Sequence, residues 1–176
     1  MENIIKQYAL WQNAKMPEKL YQELEEISKD NEQIYERFCR EISFGTSGLR
    51  GKMGVGTNRL NEVVVKRATL GVGDYLLTRA TKPLAVIGYD TRINSKEFAE
   101  EVAKDFAVMG IDSYLFDEPT PVPVVSFAIK HLGANCGVMI TASHNPKEYN
   151  GYKVYDETGC QVLIDDANKI ISYVNA

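Results

Sequence analysis

No stretch of the 176-residue sequence is apolar for the roughly 20 residues that a membrane helix needs, so no spanning segment is expected. The amino terminus, Met1-Glu2-Asn3-Ile4-Ile5-Lys6, lacks the basic and then apolar layout of a secretion signal. A surplus of positive charge is missing too: 20 Lys and Arg stand against 24 Asp and Glu, a net −4, which argues against nucleic acid as a partner. Only three cysteines occur, Cys39, Cys136 and Cys160, odd in number and without metal-ligand spacing. Together these absences place the chain in the cytoplasm with reduced thiols. Nucleotide motifs are incomplete. There is no Walker-type Gly-Lys-Ser/Thr, and Gly54-Val55-Gly56-Thr57-Asn58-Arg59 has arginine where a dinucleotide fingerprint needs its third glycine, with no clear strand before it.

What is present is an ordinary globular composition, 44% hydrophobic and 25% charged, long enough for one domain with a sizeable core. Residues 17–40 read as a helix or helix pair, with Leu20, Leu24, Ile27, Ile34 and Phe38 at helical spacing and a break at 28–31. Residues 41–61, with five glycines, read as an ordered loop with at most one short strand. A helix over 62–79 is capped by Asn61. Strands follow at 84–89, 111–116 and 136–140. The helices between them start at a capping-box pattern, Asn94-Ser95-Lys96-Glu97, and at Thr120-Pro121, and end at Gly110 and before Gly133. Two short strands at 152–155 and 160–163 flank an Asp156-Glu157-Thr158-Gly159 turn, and a last helix runs from about 165 to 174. Alternating strands and helices from 84 to 140 predict an α/β fold with a mostly parallel sheet, and the final pair of strands an antiparallel edge. Trp11 reads as a packing residue, and His131 as a charge at the end of a helix or on the surface.

The segment Thr141-Ala142-Ser143-His144-Asn145-Pro146 leaves a buried apolar strand and carries one hydroxyl on a short loop, where α/β folds place chemistry. Ser, Asn and Pro are also ordinary turn formers. Two further segments weigh for a site. Asn150-Gly151-Tyr152-Lys153 returns a lysine toward the loop, and Phe44-Gly45-Thr46-Ser47-Gly48-Leu49-Arg50-Gly51 is Gly-rich and ends in arginine. A hydroxyl, an imidazole and two cations suit chemistry on phosphate, because guanidinium forks onto phosphate oxygens and an ammonium can act as a point charge or proton carrier.

These three segments, with Gly88-Tyr89-Asp90-Thr91-Arg92, resemble the first domain of the α-D-phosphohexomutases, the phosphoglucomutase/phosphomannomutase group. The run from Phe44 through Gly54 to Thr57-Asn58-Arg59 is similar to the longer-chain branch. The resemblance covers about Glu41 to the end. It implies a three-layer sandwich over 41–176, with residues 1–40 a helical lead-in packed on it. It implies that Ser143 carries a phosphoryl group, that His144 holds phosphate or substrate, that Arg50 neutralises transferring charge and that Lys153 carries a proton. Thr46, Ser47 and Asn145 then shape or contact the phosphate. Asp90 and Arg92 either brace the loop or touch substrate. The implied cofactors are Mg2+, with Ser143 a ligand through its phosphate, and a sugar bisphosphate. The implied partners are a sugar phosphate and later domains that bear the remaining metal ligands and sugar-specific loops. The chain alone is then expected to be inactive, with apolar surface exposed where a further domain docks. Glucose is the expected sugar, with mannose, glucosamine or pentose phosphates as alternatives. A non-catalytic phosphosugar-binding module is the reading from another class.

Overall fold

The computed structural model describes residues 2–45 and 48–175. Three helices open the chain: α1 (Glu2–Asn13), α2 (Glu18–Glu26) and α3 (Asn31–Phe38). The expected break between α2 and α3 holds because the Asp30 carboxylate accepts the backbone N–H groups of Glu32 and Gln33 at 3.1 and 3.0 Å, an N-cap that restarts the helix. These helices close a small core of their own. Trp11 and Phe38 meet edge to face at 5.8 Å, with Leu20, Leu24, Ile27 and Val55 packed around them.

Next come β1 (Leu49–Lys52), α4 (Glu62–Leu77), β2 (Leu84–Tyr89), α5 (Ser95–Val108), β3 (Asp112–Leu115), α6 (Val122–Leu132), β4 (Cys136–Ile140), β5 (Tyr149–Asp156) and α7 (Ile164–Val174). The five strands form one sheet in the order β1-β5-β4-β2-β3. β2 pairs in parallel with β3 and β4, while β5 runs antiparallel to both β4 and β1. Strand alternation splits the core into layers. Ala85, Ile87, Tyr89, Cys136, Val138, Ile140, Tyr152 and Val154 meet α4, α5 and α7 on one face. Val86, Met139 and Tyr155 meet α6 on the other, giving the three-layer α/β/α arrangement. Glycines let α6 sit close. A Cβ on Gly88 would stand 2.4 Å from Val125, and one on Gly137 2.2 Å from Ile129.

Three details differ from the sequence reading. The strand expected at 160–163 reduces to one bridge, Tyr155 to Gln161, because Asp156 draws the backbone of Thr158 around its carboxylate and α7 begins at Ile164. The antiparallel edge is therefore β1, and β5 is interior. Asn94 forms no capping box: it takes a left-handed conformation (φ 61°) with no side-chain cap hydrogen bond. The adjacent Ser95 is buried and turns its hydroxyl to Asp90 instead. On its outer side α6 exposes Val124, Phe127 and Leu132, with His131 stacked on Phe127 at 5.3 Å. No helix of the described residues is long and apolar enough to cross a membrane.

Candidate active site

At the carboxyl end of β4 the chain turns sharply. Thr141 N–H still bonds Gly151 O at 3.0 Å, the last rung to β5. The Thr141 hydroxyl then accepts Ser143 N–H at 2.9 Å, and Ala142 O accepts Asn145 N–H at 3.1 Å. The result forces Ser143 to φ 59°, a left-handed conformation that costs a non-glycine residue about 1–2 kcal/mol. Strain of this kind persists only where neighbours over-determine it. The over-determining neighbour here is Arg92. Its four Nη hydrogens go to four loop carbonyls: Ser143 and Asn145 at 2.8 and 2.7 Å, Pro146 and Tyr149 at 2.9 and 3.1 Å. Its Nε lies 3.4 Å from the Asp90 carboxylate.

Asp90 is held in turn. One of its oxygens accepts Arg92 N–H at 3.0 Å and the Ser95 hydroxyl at 2.8 Å. Asn150, fully buried, donates to Ser95 Oγ at 2.9 Å and to Ile93 O at 3.0 Å, while its carbonyl accepts Gly151 N–H. A continuous relay thus runs from the start of β5 through Ser95, Asp90 and Arg92 into the serine loop. Two roles are expected for Arg92, brace and substrate contact, and these bonds are those of a brace. Ser95 and Asn150 were not read as site residues from sequence. Asn150 stood in the Asn-Gly-Tyr-Lys motif, but nothing in the sequence says that a buried amide at that place anchors a loop through a residue 55 positions earlier.

The reactive groups lie over β1 and the first part of β5, while α6 packs chiefly on β2 and β4. Arg50 is paired in register with Gly151, so it and Lys153 share the sheet face opposite Tyr152 and Val154. The Arg50 guanidinium donates to Asn145 Oδ1 at 3.2 Å, tying the edge strand to the loop. Lys153 is half-buried, and its ammonium is pushed below the ordinary lysine value first by burial and then by Arg50, against a smaller opposing pull from Asp90. Ser143 and His144 are exposed at the tip. So Arg50 joins Asn145 and lies near Lys153, Ser143 and His144 are Asn145's neighbours on the same loop, and Arg92, paired with Asp90, bonds the loop carbonyls. Thr46 and Ser47 lie outside the described residues. Their flanks, Gly45 and Gly48, exchange both backbone hydrogen bonds at 2.9 Å. Gly48 (φ 87°) presses against β5 so closely that a Cβ would stand 1.9 Å from Tyr152 O.

Cys136 is buried, and burial pushes its thiol up to about 12, which leaves it without thiolate reactivity. Among the described residues no group of three or more His, Cys, Asp or Glu could hold a metal ion.

A strained serine on a clamped loop at the carboxyl end of a parallel strand, on an α/β/α sandwich, defines the class: a three-layer α/β domain with its candidate site at that strand end. Residues 41–176 match the family model described as phosphoglucomutase/phosphomannomutase, alpha/beta/alpha domain I, and the chain belongs to that family. A phosphoglucomutase of Staphylococcus epidermidis is 45% identical over 148 residues, which are 84% of this chain and 27% of that protein. A phosphoglucomutase of Staphylococcus haemolyticus is 43% identical over 138 residues, 78% of this chain and 25% of its own length. The crystal structure of a Thermus thermophilus protein assigned as a phosphomannomutase superposes with a TM-score of 0.72 at 37% identity, covering 77% of this chain and 30% of that one. The chain thus spans between a quarter and a third of the length of these relatives.

Proposed function

We propose that this chain is the serine-bearing domain of an enzyme that moves a phosphoryl group between two oxygens of a sugar, an intramolecular phosphotransferase of the phosphoglucomutase/phosphomannomutase type. The observation that carries the reading is the left-handed Ser143, its loop held by Arg92 and tied through Asn145 to Arg50, with Lys153 near Arg50. A merely structural turn gives no reason to hold a serine in that conformation with a fully committed guanidinium. In the proposed reaction a phosphate on Ser143 passes to a sugar hydroxyl. The Ser143 O–P bond breaks, the sugar O–P bond forms, the sugar hydroxyl proton passes to neutral Lys153, and the freed Ser143 oxygen takes a proton from water. The lowered lysine pKa increases the neutral fraction at physiological pH, as a base in this role requires. Arg50 offsets charge on the equatorial oxygens, and His144, exposed on the same loop, donates a hydrogen bond to them. The sugar bisphosphate then re-enters with its other phosphate, and the reverse steps reload Ser143.

Mg2+ would add charge neutralisation on the transferring oxygens. Here it would be held through the Ser143 phosphate, with its other ligands from outside this chain. Thr46 and Ser47 are assigned to phosphate contact on the family resemblance. The domain is taken as residues 41–176, with 1–40 as lead-in, acting in the cytoplasm in company with further domains of a longer protein. Glucose is the preferred sugar because the Staphylococcus relatives are named phosphoglucomutases. The test is twofold. The longer protein should interconvert glucose 1-phosphate and glucose 6-phosphate, carry phosphate on Ser143, and lose both with Ser143→Ala. The 176-residue chain alone should not turn over. Full activity in Ser143→Ala would refute the assignment.

A further inference from the structure

The run Gly54-Val55-Gly56-Thr57-Asn58-Arg59, which fails as a nucleotide motif, is held by α2 and α3. Val55 is fully buried in the lead-in's own core, and the lead-in supplies both of its backbone partners. Glu23 on α2 accepts Val55 N–H at 2.7 Å. Arg37 on α3, paired with the other Glu23 oxygen at 2.5 Å, donates to Val55 O at 3.3 Å. Gly56, at φ 121°, passes so close to α3 that a Cβ would stand 2.6 Å from Arg37 O. Arg37 O then accepts Asn58 N–H and Glu36 O accepts the Asn58 side-chain amide, each at 2.9 Å. Arg59, standing where a third glycine would be, is buried and forks onto Glu36.

The other end of this loop belongs to β1. Leu60 N–H bonds Lys52 O at 2.9 Å and Gly54 N–H bonds Leu60 O at 3.2 Å, so the loop closes on the end of the strand that carries Arg50. β1 is an edge strand with β5 on one side only, and an edge leaves one row of backbone groups unpaired by its sheet. Here the loop takes Lys52 O from that row.

We propose that residues 1–40, which lie outside the matched family domain, are a positioning element for the serine site, and that Glu23 is its positioning residue. Glu23 and Arg37 fix the loop, the loop fixes the end of β1, and β1 aims Arg50 at Asn145. Among the described residues no hydrogen bond joins Glu23 to the serine loop, so its effect runs through β1. Its bearing on turnover rests on the reading of Arg50 as the cation that offsets transferring charge; its bearing on the direction of Arg50 does not.

The test compares Glu23→Ala and Glu23→Gln with Tyr8→Phe, which loses a bond to Leu24 O inside the lead-in and none to the loop. In the 176-residue chain, Glu23→Ala should quicken amide exchange at Met53, Gly54 and Leu60 roughly tenfold, the factor that one charge-assisted hydrogen bond is worth, with β2 and β4 unmoved. The Lys153 pKa should rise as Arg50 swings away, by no more than in Arg50→Gln. In the longer protein kcat should fall roughly tenfold with KM for glucose 1-phosphate unchanged, the mark of an interaction made in the transition state. Glu23→Gln keeps an oxygen for Val55 N–H without the charge. It should move every readout the same way but by roughly threefold where Glu23→Ala gives tenfold, a neutral acceptor being about half as strong, and it decides the matter where Glu23→Ala does not fold. Tyr8→Phe should move none of them. Unaltered exchange at Met53, Gly54 and Leu60 in the Glu23 variants would overturn the proposal. So would quickened exchange with an unmoved Lys153 pKa, since the lead-in would then hold the loop and nothing more. Equal effects from Tyr8→Phe would overturn it too, as a general loosening of the helices. A raised Lys153 pKa with no loss of phosphoryl transfer would uphold the positioning and count against the part given to Arg50 in the reaction.

Discussion

Replacing Arg92 with methionine removes the clamp while keeping a flexible stem of similar reach. Four carbonyls lose their donor. Those of Ser143 and Pro146 are bonded where they are solvent-exposed and can turn to water, so their loss costs little. Those of Asn145 and Tyr149 are bonded in partly buried positions, and at about 1–1.5 kcal/mol for each charge-assisted bond the two together cost about 2–3 kcal/mol. Asp90, already half shielded, also loses the partner at 3.4 Å. The sum is about 3 kcal/mol, or a fall in Tm of about 6–12 °C for a chain of this size. Urea unfolding should show a lower midpoint at unchanged slope. Amide exchange should quicken at Ser143, Asn145 and Tyr149 well before it quickens in β2 or β4. Arg92→Lys should recover less than half, since three donors on one nitrogen cannot span four carbonyls. A change under about 0.5 kcal/mol in Arg92→Met, with loop exchange unaltered, would refute the clamp and with it the account of how Ser143 keeps its conformation.

Three further outcomes are expected. Gly48→Ala places a Cβ against Tyr152 O at a positive φ, so it should destabilise by about 3 kcal/mol or more in thermal unfolding, the sum of left-handed strain and overpacking. Arg50→Gln should raise the Lys153 pKa measured by NMR at Nζ, yet leave it below the ordinary value of about 10.4, because burial is the larger cause and remains; a full return would assign the shift to Arg50 instead. Buried Asp105 has one oxygen without a hydrogen-bond partner, and its carboxyl is raised by burial in spite of Lys66 at 3.4 Å. Its folded pKa lies above the unfolded one, so its charge weakens the fold above that range and not below it. Asp105→Asn should therefore raise the urea midpoint at pH 7, with the gain shrinking to nothing as pH falls toward about 4; a constant gain across that range would rule out the charge as its source.

Much of the fold was legible because its signals are local. Asn61 does cap α4, accepting Val64 N–H at 3.0 Å, and the apolar runs at 84–89 and 136–140 are β2 and β4. A capping residue acts within one turn, and an all-apolar run needs only to be buried to declare itself. The misreadings came from non-local causes. Asn94 heads a helix in a capping pattern, but the Asp90–Ser95 bond takes over the turn and leaves it left-handed. β1 is the one short strand allowed for in 41–61, but its place at the sheet edge depends on β5, which lies beside it about a hundred residues later.

By itself the sequence determined the α/β alternation, the serine loop after β4 and the residue types that suit phosphate, all of them set by chemistry within a few residues. Tertiary structure alone decided that Ser143 is held left-handed, that Arg92 donates to four carbonyls around the serine loop and that Lys153 has a lowered pKa. The reason is physical. Donor commitment, burial and unpaired charge are properties of what stands across a gap, and those partners come from β1, β2 and β5, which only the folded sheet brings together.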